Sequence, residues 1–403
     1  MLRIALIAGL LAPVALAKDA DTEAARAFIA TLQFGNTIQN GDVTFVPIET
    51  TGTPVDPGVA PLWGNAKASF AEPEFPRRQY DIVVRNDGDT PLFLPGGTVL
   101  VGGGIDRMVR HDHLIAANGS AEIRSLPAAS VSDRRRPPVP FELSPVLAPL
   151  YLRAQADFSG TNSLVPNFVA KWIDFRNEGD KRKSLAAFTD SKALREYALG
   201  TKAKLNTMPE SLGRPMVLGG VSAIHGRMQA MGVYGNNELL AASFPALAKG
   251  ATYAAAALAI RSKQVDVPLP GLGKPDERKE IVRKEAQKLL DRLKKAKFRK
   301  DKPIEGVVGS SIQIQMTDGT RGRVTVLDGK VVHLILFPRD PFRQKLYGSA
   351  IEVPDTKVDP TAPAPEAAGT SGGGGEYEDL SGDEIRFLER GRRGPRRGGG
   401  RRR

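Results

Sequence analysis

Between residues 41 and 126 the chain never runs far before a turn signal stops it. GDVTFVPI (41–48), QYDIVVRN (79–86), PLFL and TVLV are short runs of strand-forming residues. Asn86-Asp87-Gly88-Asp89, Pro95-Gly96-Gly97 and the consecutive Gly102, Gly103 and Gly104 separate or follow them. Turn residues recurring roughly every 8 to 12 positions leave no room for a long helix and predict an antiparallel sheet or sandwich. Residues 49–79, rich in Pro, Gly and Thr, read as a long surface loop.

Beyond RRRPPVP (134–140) the pattern changes. Segments 142–156, 166–177 and 184–199 read as helices. MVLGGVSAIHGRMQAMGVYG (216–235) returns to strand pattern and reverses at His225-Gly226. Asn236 is placed to cap the helix that follows, and Pro245 inside that helix is expected to kink or split it. Residues 274–300 form a charged helix in which Val282, Ala286, Leu289, Leu293 and Ala296 fall on one face. That stripe is expected to dock on the core or on a partner protein. Residues 304–337 read as three strands, with hairpin turns at Asp318-Gly319 and Asp328-Gly329. The class is therefore α+β: an antiparallel sheet or sandwich with a helical segment packed against it. One domain is expected over 41–340, divided into a β-rich part (41–126), a helical part (142–200), a hairpin with helices (216–300) and closing strands (304–337). It is preceded by a helix and linker over 18–40.

Both ends depart from globular composition. MLRIALIAGLLAPVALAKDAD has one charge, Arg3, before an apolar run, then Ala15-Leu16-Ala17 ahead of Lys18. That is the layout of a cleaved signal peptide over 1–17, and it predicts a periplasmic or extracellular protein with no transmembrane helix after cleavage. The 403 residues include no cysteine, which removes disulfides, thiolate metal sites and thiol nucleophiles. Residues 354–403 read as a disordered tail rich in Pro, Gly and Arg. Its end holds Arg390, Arg392, Arg393, Arg396, Arg397, Arg401, Arg402 and Arg403 with no acid among them, in a chain of net charge +12. Such a segment binds anionic polymers or lipid headgroups by neutralising their charge, with an affinity that falls as salt rises.

The glycine run raises the question of a phosphate cradle. A Walker loop needs a lysine and a hydroxyl after its last glycine, and a dinucleotide fingerprint needs a helix. Here Ile105-Asp106-Arg107 and the strand-like RMVRHDHLI follow, so the run reads as a tight reversal between strands. Asp106 and Arg107 are expected to pair with each other or to lie on a ligand surface. His111 and His113 are two apart on a predicted strand and read as exposed residues beside Asp112; a zinc site would need His225, His333 or a distant carboxylate as well. No G-x-S-x-G elbow, cofactor signature or carboxylate pair stands out.

Three stretches together resemble the ARG and Rhodanese-Phosphatase-superfamily-associated Protein family. They are LFLPGGTVLVGGGIDRMVRHDHLIAANGS, GGVSAIHGRMQAMGVYGNNELLAASFPALAKGATYAAAAL and GRVTVLDGKVVHLILF. The resemblance spans about 41–340 and implies a single α+β domain and an association with ADP-ribose and NAD-derived metabolism. Ile105 stands where the family usually has glutamine, and Ser130 and Ser132 stand where it tends to carry a cysteine and a glutamate. The expectation is an exported, non-enzymatic ligand-binding or structural protein whose ligand surface holds Gly102, Gly103, Asp106, Arg107 and Arg227. The alternative is a hydrolase or transferase for an ADP-ribose-like or other phosphorylated substrate, with Asp106, Arg107, His111 and Arg227 converging.

Overall fold

A computed structural model describes residues 19–40, 43–65, 67–78, 80–129, 139–158, 184–185, 212–264 and 275–339. The expected signal segment, Ser130, Ser132, the helix at 166–177, nearly all of that at 184–199 and the arginine tail lie outside the described residues. Those described belong to one compact unit, Met1–Val353. The class is α+β, with mostly antiparallel strands.

The chain opens with α1 (Ala20–Ala30), whose Ala25 and Ile29 are buried. The segment read as a linker is instead two short strands, β1 (Leu32–Phe34) and β2 (Ile38–Asn40), both paired with β3 (Val43–Thr50). The expected surface loop is also structured: β4 (Ala60–Pro61) leads into the single turn α2 (Leu62–Asn65), and β5 (Ala68–Ala71) adds to a sheet. Local composition favoured a loop there, but Leu62 is buried and β5 has a neighbour to complete.

The turn-rich region resolves into β6 (Ile82–Asn86), β7 (Leu92–Leu94), β8 (Thr98–Gly103), β9 (Arg107–Val109), β10 (His113–Ile115), β11 (Gly119–Ile123) and β12 (Ser125–Pro127). With β13 (Val139–Leu147) they make three small sheets, ordered β10-β7-β4, β11-β6-β5 and β12-β9-β8-β13. One apolar core, including Ile82, Leu94, Leu100, Val109 and Ile123, joins them. Residues 142–147 were expected to be helical and are strand. Pro145 disfavours a helix interior, and pairing with β8 supplies the backbone bonds instead. The helix starts only at α3 (Leu150–Phe158).

The hairpin at 216–235 forms as β14 (Val217–Ile224) and β15 (Arg227–Tyr234), with His225 at φ 49° and Gly226 at φ 75°. Consecutive positive φ values give the turn a twist that matches the strands. Asn236 caps the next helix: Leu239 N–H donates to its Oδ1 at 2.9 Å. That helix, α4 (Asn237–Gln264), runs through Pro245 without being split. Proline removes one N–H bond, but apolar residues of this helix enter two separate core clusters, and that burial holds the element together.

The charged helix α5 (Pro275–Leu293) is shorter than expected, because Lys297–Lys300 is strand β16. The closing strands are β17 (Ser310–Gln315), β18 (Arg321–Leu327) and β19 (Lys330–Phe337). They complete a nine-stranded sheet ordered β1-β3-β14-β15-β19-β18-β17-β16, with β2 attached to β3. Val282, Ala286, Leu289, Leu293 and Ala296 are buried against one face of this sheet together with α1. The stripe considered for a partner protein is therefore occupied by the chain's own core. Alternation along the strands sends Val221, Ala223, Met231 and Val233 to that face. Gly220, Ser222, Ala230, Gly232 and Tyr234 go to the other, towards α3 and α4. Among the described residues no helix is long and apolar enough to cross a membrane.

Candidate functional site

The three glycines turn the chain between β8 and β9, which pair with Val99 opposite Met108. Gly102 has φ +125° and Gly103 φ +59°, backbone conformations that side chains disfavour. Neither position has room for one: a Cβ at Gly102 would collide with Pro140 O, and one at Gly103 with the Phe141 ring. The anionic partners of this turn come from the protein itself. Gly102 N–H donates to Asp106 Oδ1 at 2.9 Å, and Gly104 N–H to Glu72 Oε1 at 3.1 Å. Arg107 does not pair with Asp106 as expected. Its Nη2 donates to Glu72 Oε1 at 2.7 Å, its Nη1 to Ile105 O, and its guanidinium lies 5.3 Å from the centre of the Tyr80 ring. Burial pulls the Arg107 guanidinium below its ordinary value, against the charges of Glu72 and Asp106. Gly102, Gly103, Asp106 and Arg107 thus share one turn, whereas Arg227 stands in the nine-stranded sheet, at the start of β15.

The histidines depart further from expectation. They do not share a strand: His111 lies in the bend between β9 and β10, and His113 begins β10. Nor are they exposed. His113 and Asp112 are buried and His111 is nearly so. His111 Nδ1 stands 3.3 Å from Asp157 Oδ1, which also accepts from Arg323 Nε at 2.7 Å; Arg323 bridges on to Asp301. Burial holds His111 at a pKa of about 4, with Arg323 adding to the shift and Asp157 opposing it. Burial and the neighbouring His111 hold His113 at about 3. Both rings are neutral near pH 7. Among the described residues no group of three acidic or histidine side chains is arranged to hold a metal ion.

The feature best suited to a ligand lies elsewhere, between the nine-stranded sheet and α3 and α4. A cavity of about 70 Å³ opens there. The small residues on this sheet face make the room, and Phe45, Phe244, Leu240 and Leu247 give it apolar walls. Phe45 and Phe244 meet edge to face at 6.2 Å.

Arg153, Tyr234 and His333 interrupt this apolar lining. Arg153 comes from α3, a helix buried almost all round: Leu150, Tyr151, Leu152, Ala154 and Ala156 are all inaccessible. Its stem crosses Gly97, which has φ +89° and would need to be moved to carry a side chain. The residue is 4 % exposed, yet its Nε and Nη1 have no hydrogen-bond partner among the described residues. Burial lowers its pKa, offset by the charge of Asp112 and by Tyr234. A buried guanidinium with open donors is costly, because it leaves water without recovering its hydrogen bonds.

His333 sits in the middle of β19, opposite Tyr234 of β15. Its Nδ1 meets Asp112 Oδ2 at 2.6 Å, and Asp112 Oδ1 accepts Gly96 N–H at 2.7 Å. Burial by itself would raise the Asp112 carboxyl; His333, the Gly96 N–H and Arg153 together hold it at about 2. Burial raises Tyr234 to about 12, so its phenol is neutral.

Sequence reasoning passed over Arg153 and gave His333 only a distant role. The available signal was chemical isolation: one arginine in LYLRAQADF, and one histidine in VVHLILF. A charged or titratable residue inside an apolar element is buried with it, and needs a partner or a purpose. No protein-family model, curated protein or solved structure matches the chain.

Proposed function

We propose that this protein binds an apolar molecule carrying an anionic head, of the long-chain carboxylate class. The observation that carries the reading is the Arg153 guanidinium, buried in the wall of a mostly apolar cavity with Nε and Nη1 lacking a hydrogen-bond partner among the described residues. A carboxylate there would form charge-assisted hydrogen bonds and relieve the unpaired charge, while the chain of the ligand covers Phe45, Leu240, Phe244 and Leu247. The test is calorimetric titration of the protein with dodecanoate and with dodecanol. Dodecanoate is expected to bind at least tenfold more tightly, and Arg153→Met to abolish the difference. Equal binding of acid and alcohol, or no binding by the folded protein, would overturn the proposal.

The same reading takes the chain as exported, with Arg390, Arg392, Arg393, Arg396, Arg397, Arg401, Arg402 and Arg403 tethering it to an anionic polymer or lipid surface. Loss of that retention on removing residues 354–403, and its weakening by salt, would support the tether. Salt-independent retention would end it.

A second reading follows the family resemblance to the glycine turn. Gly104 N–H and Arg107 already grip one carboxylate, that of Glu72, so the turn is able to hold an anion. An ADP-ribose phosphate would have to displace Glu72. Under this reading Glu72→Gln increases the thermal shift produced by ADP-ribose; no shift in either protein argues against it.

A further inference from the structure

We propose that the Asp112–His333 pair, with Arg153 on the same cavity wall, hydrolyses apolar carboxylic esters. The inference rests on the reading of the cavity as a site for apolar carboxylates, and it identifies them as products. Three observations support it.

The dyad is fixed. Asp112 is held on one oxygen by Gly96 N–H at 2.7 Å and on the other by His333 Nδ1 at 2.6 Å. The imidazole packs against Tyr234, with ring centres 4.5 Å apart, and against Phe93, 5.5 Å away, and those two rings meet each other at 6.3 Å. An ionised carboxylate can only accept, so Nδ1–H is the donor to it, and Nε2 is the ring nitrogen left to take a proton.

Nε2 has space in front of it. Gly232 lines the cavity, and a Cβ built on it would lie 3.8 Å from His333 Nε2 and 3.6 Å from Ile335 Cδ1. The missing side chain leaves open the approach that a water molecule or an ester group needs.

A positive charge is at hand. Arg153 lines the same cavity and acts electrostatically on Asp112. A general base and a preorganised cation in a water-poor site are the two requirements for opening an ester with water. Around the histidine stand Asp112, bonded to it, and Tyr234, stacked on it, with Arg153 acting electrostatically on both of these.

In the reaction, water is the co-reactant. Its oxygen bonds to the acyl carbon while Nε2 of His333 takes one of its protons. The carbonyl electron pair moves onto the carbonyl oxygen, facing Arg153. The pair returns, the bond to the alcohol oxygen breaks, and that oxygen leaves with the proton from Nε2. The carboxylic acid loses its remaining proton to solvent, and its carboxylate pairs with Arg153. His333 is the catalytic base; Asp112 is a positioning residue.

The test uses the full chain and p-nitrophenyl dodecanoate, octanoate and acetate, with dodecanoate binding measured in parallel. The longer esters are expected to be hydrolysed faster than the acetate. His333→Gln should lower the rate about a hundredfold or more while dodecanoate still binds, which shows that the variant is folded. Asp112→Asn keeps an acceptor for Gly96 but offers His333 Nδ1 a donor, forcing the ring proton onto Nε2. It should lower kcat rather than raise KM, a split that a purely structural role would not produce. Dodecanoate binding without hydrolysis above the His333→Gln background would overturn the dyad and leave the binding reading standing. Neither binding nor hydrolysis would overturn both.

Discussion

The glycine turn and the cavity both bring an arginine into the interior, and they treat it in opposite ways. At the turn, Arg107 gives Nη2 to Glu72 and Nη1 to Ile105 O, with only its Nε left without a partner among the described residues, and the backbone N–H groups of Gly102 and Gly104 find carboxylates of their own chain. In the cavity, Arg153 Nε and Nη1 both lack a hydrogen-bond partner among the described residues. A charge satisfied from within stabilises a fold. One left unsatisfied weakens the fold and is kept for something that arrives from outside. This contrast supports the proposal that the turn is architecture and the cavity the site.

The comparison can be broken first at the turn. Gly102→Ala puts a methyl group against Pro140 O at φ +125°, separating β8 from β13. A loss of roughly 3 kcal/mol or more is expected, because strain and clash act together; urea unfolding measures it. Removing Glu72 has a smaller effect. Glu72→Ala strands the buried Arg107 and is expected to cost about 1–3 kcal/mol, reduced by the partial exposure of Glu72 itself. A loss below a few tenths would mean that the turn does not depend on its internal anion.

Acid sharpens the contrast between interior and unfolded chain. His111 and His113, held at about 4 and about 3, return to 6.5 on unfolding. Below about pH 6.5 the unfolded chain therefore binds protons that the folded chain refuses, and stability falls as pH drops. Asp112, held at about 2 against 3.8, adds a further loss at lower pH in the same direction. The melting temperature should decline steadily from about pH 6.5 towards about pH 4, and His113→Gln should flatten part of that slope. The least effect on stability is expected at Arg153. Arg153→Met removes, at similar volume, a buried cation whose Nε and Nη1 have no hydrogen-bond partner among the described residues, so the melting temperature should hold or rise while the preference for dodecanoate over dodecanol is lost. A marked drop in stability would show that the arginine has a structural role, and the contrast would fail.

Much of the strand pattern was legible because turns are local. Asn236 capping its helix and the positive φ values at His225, Gly226, Asp328 and Gly329 follow from a few adjacent residues. The stripe from Val282 to Ala296 showed its period, although only packing determined that the core takes it. The errors arose where a distant neighbour outweighed local preference. Residues 142–147 became strand because β8 was available to pair, and Leu32–Phe34 and Ile38–Asn40 did so because β3 was. His111 and His113 looked like surface residues because nothing nearby in the chain reveals the carboxylate of Asp157 or the layers that bury them.

The amino-acid order by itself settles the α+β class, the positions of the tight reversals and the absence of thiol chemistry, since each depends on backbone freedom or side-chain type over a short span. Only the tertiary structure brings Asp112 to His333 across 221 positions and sets Arg153 beside them on a wall of small residues. Burial, and what a buried charge finds beside it, depend on how the whole chain packs.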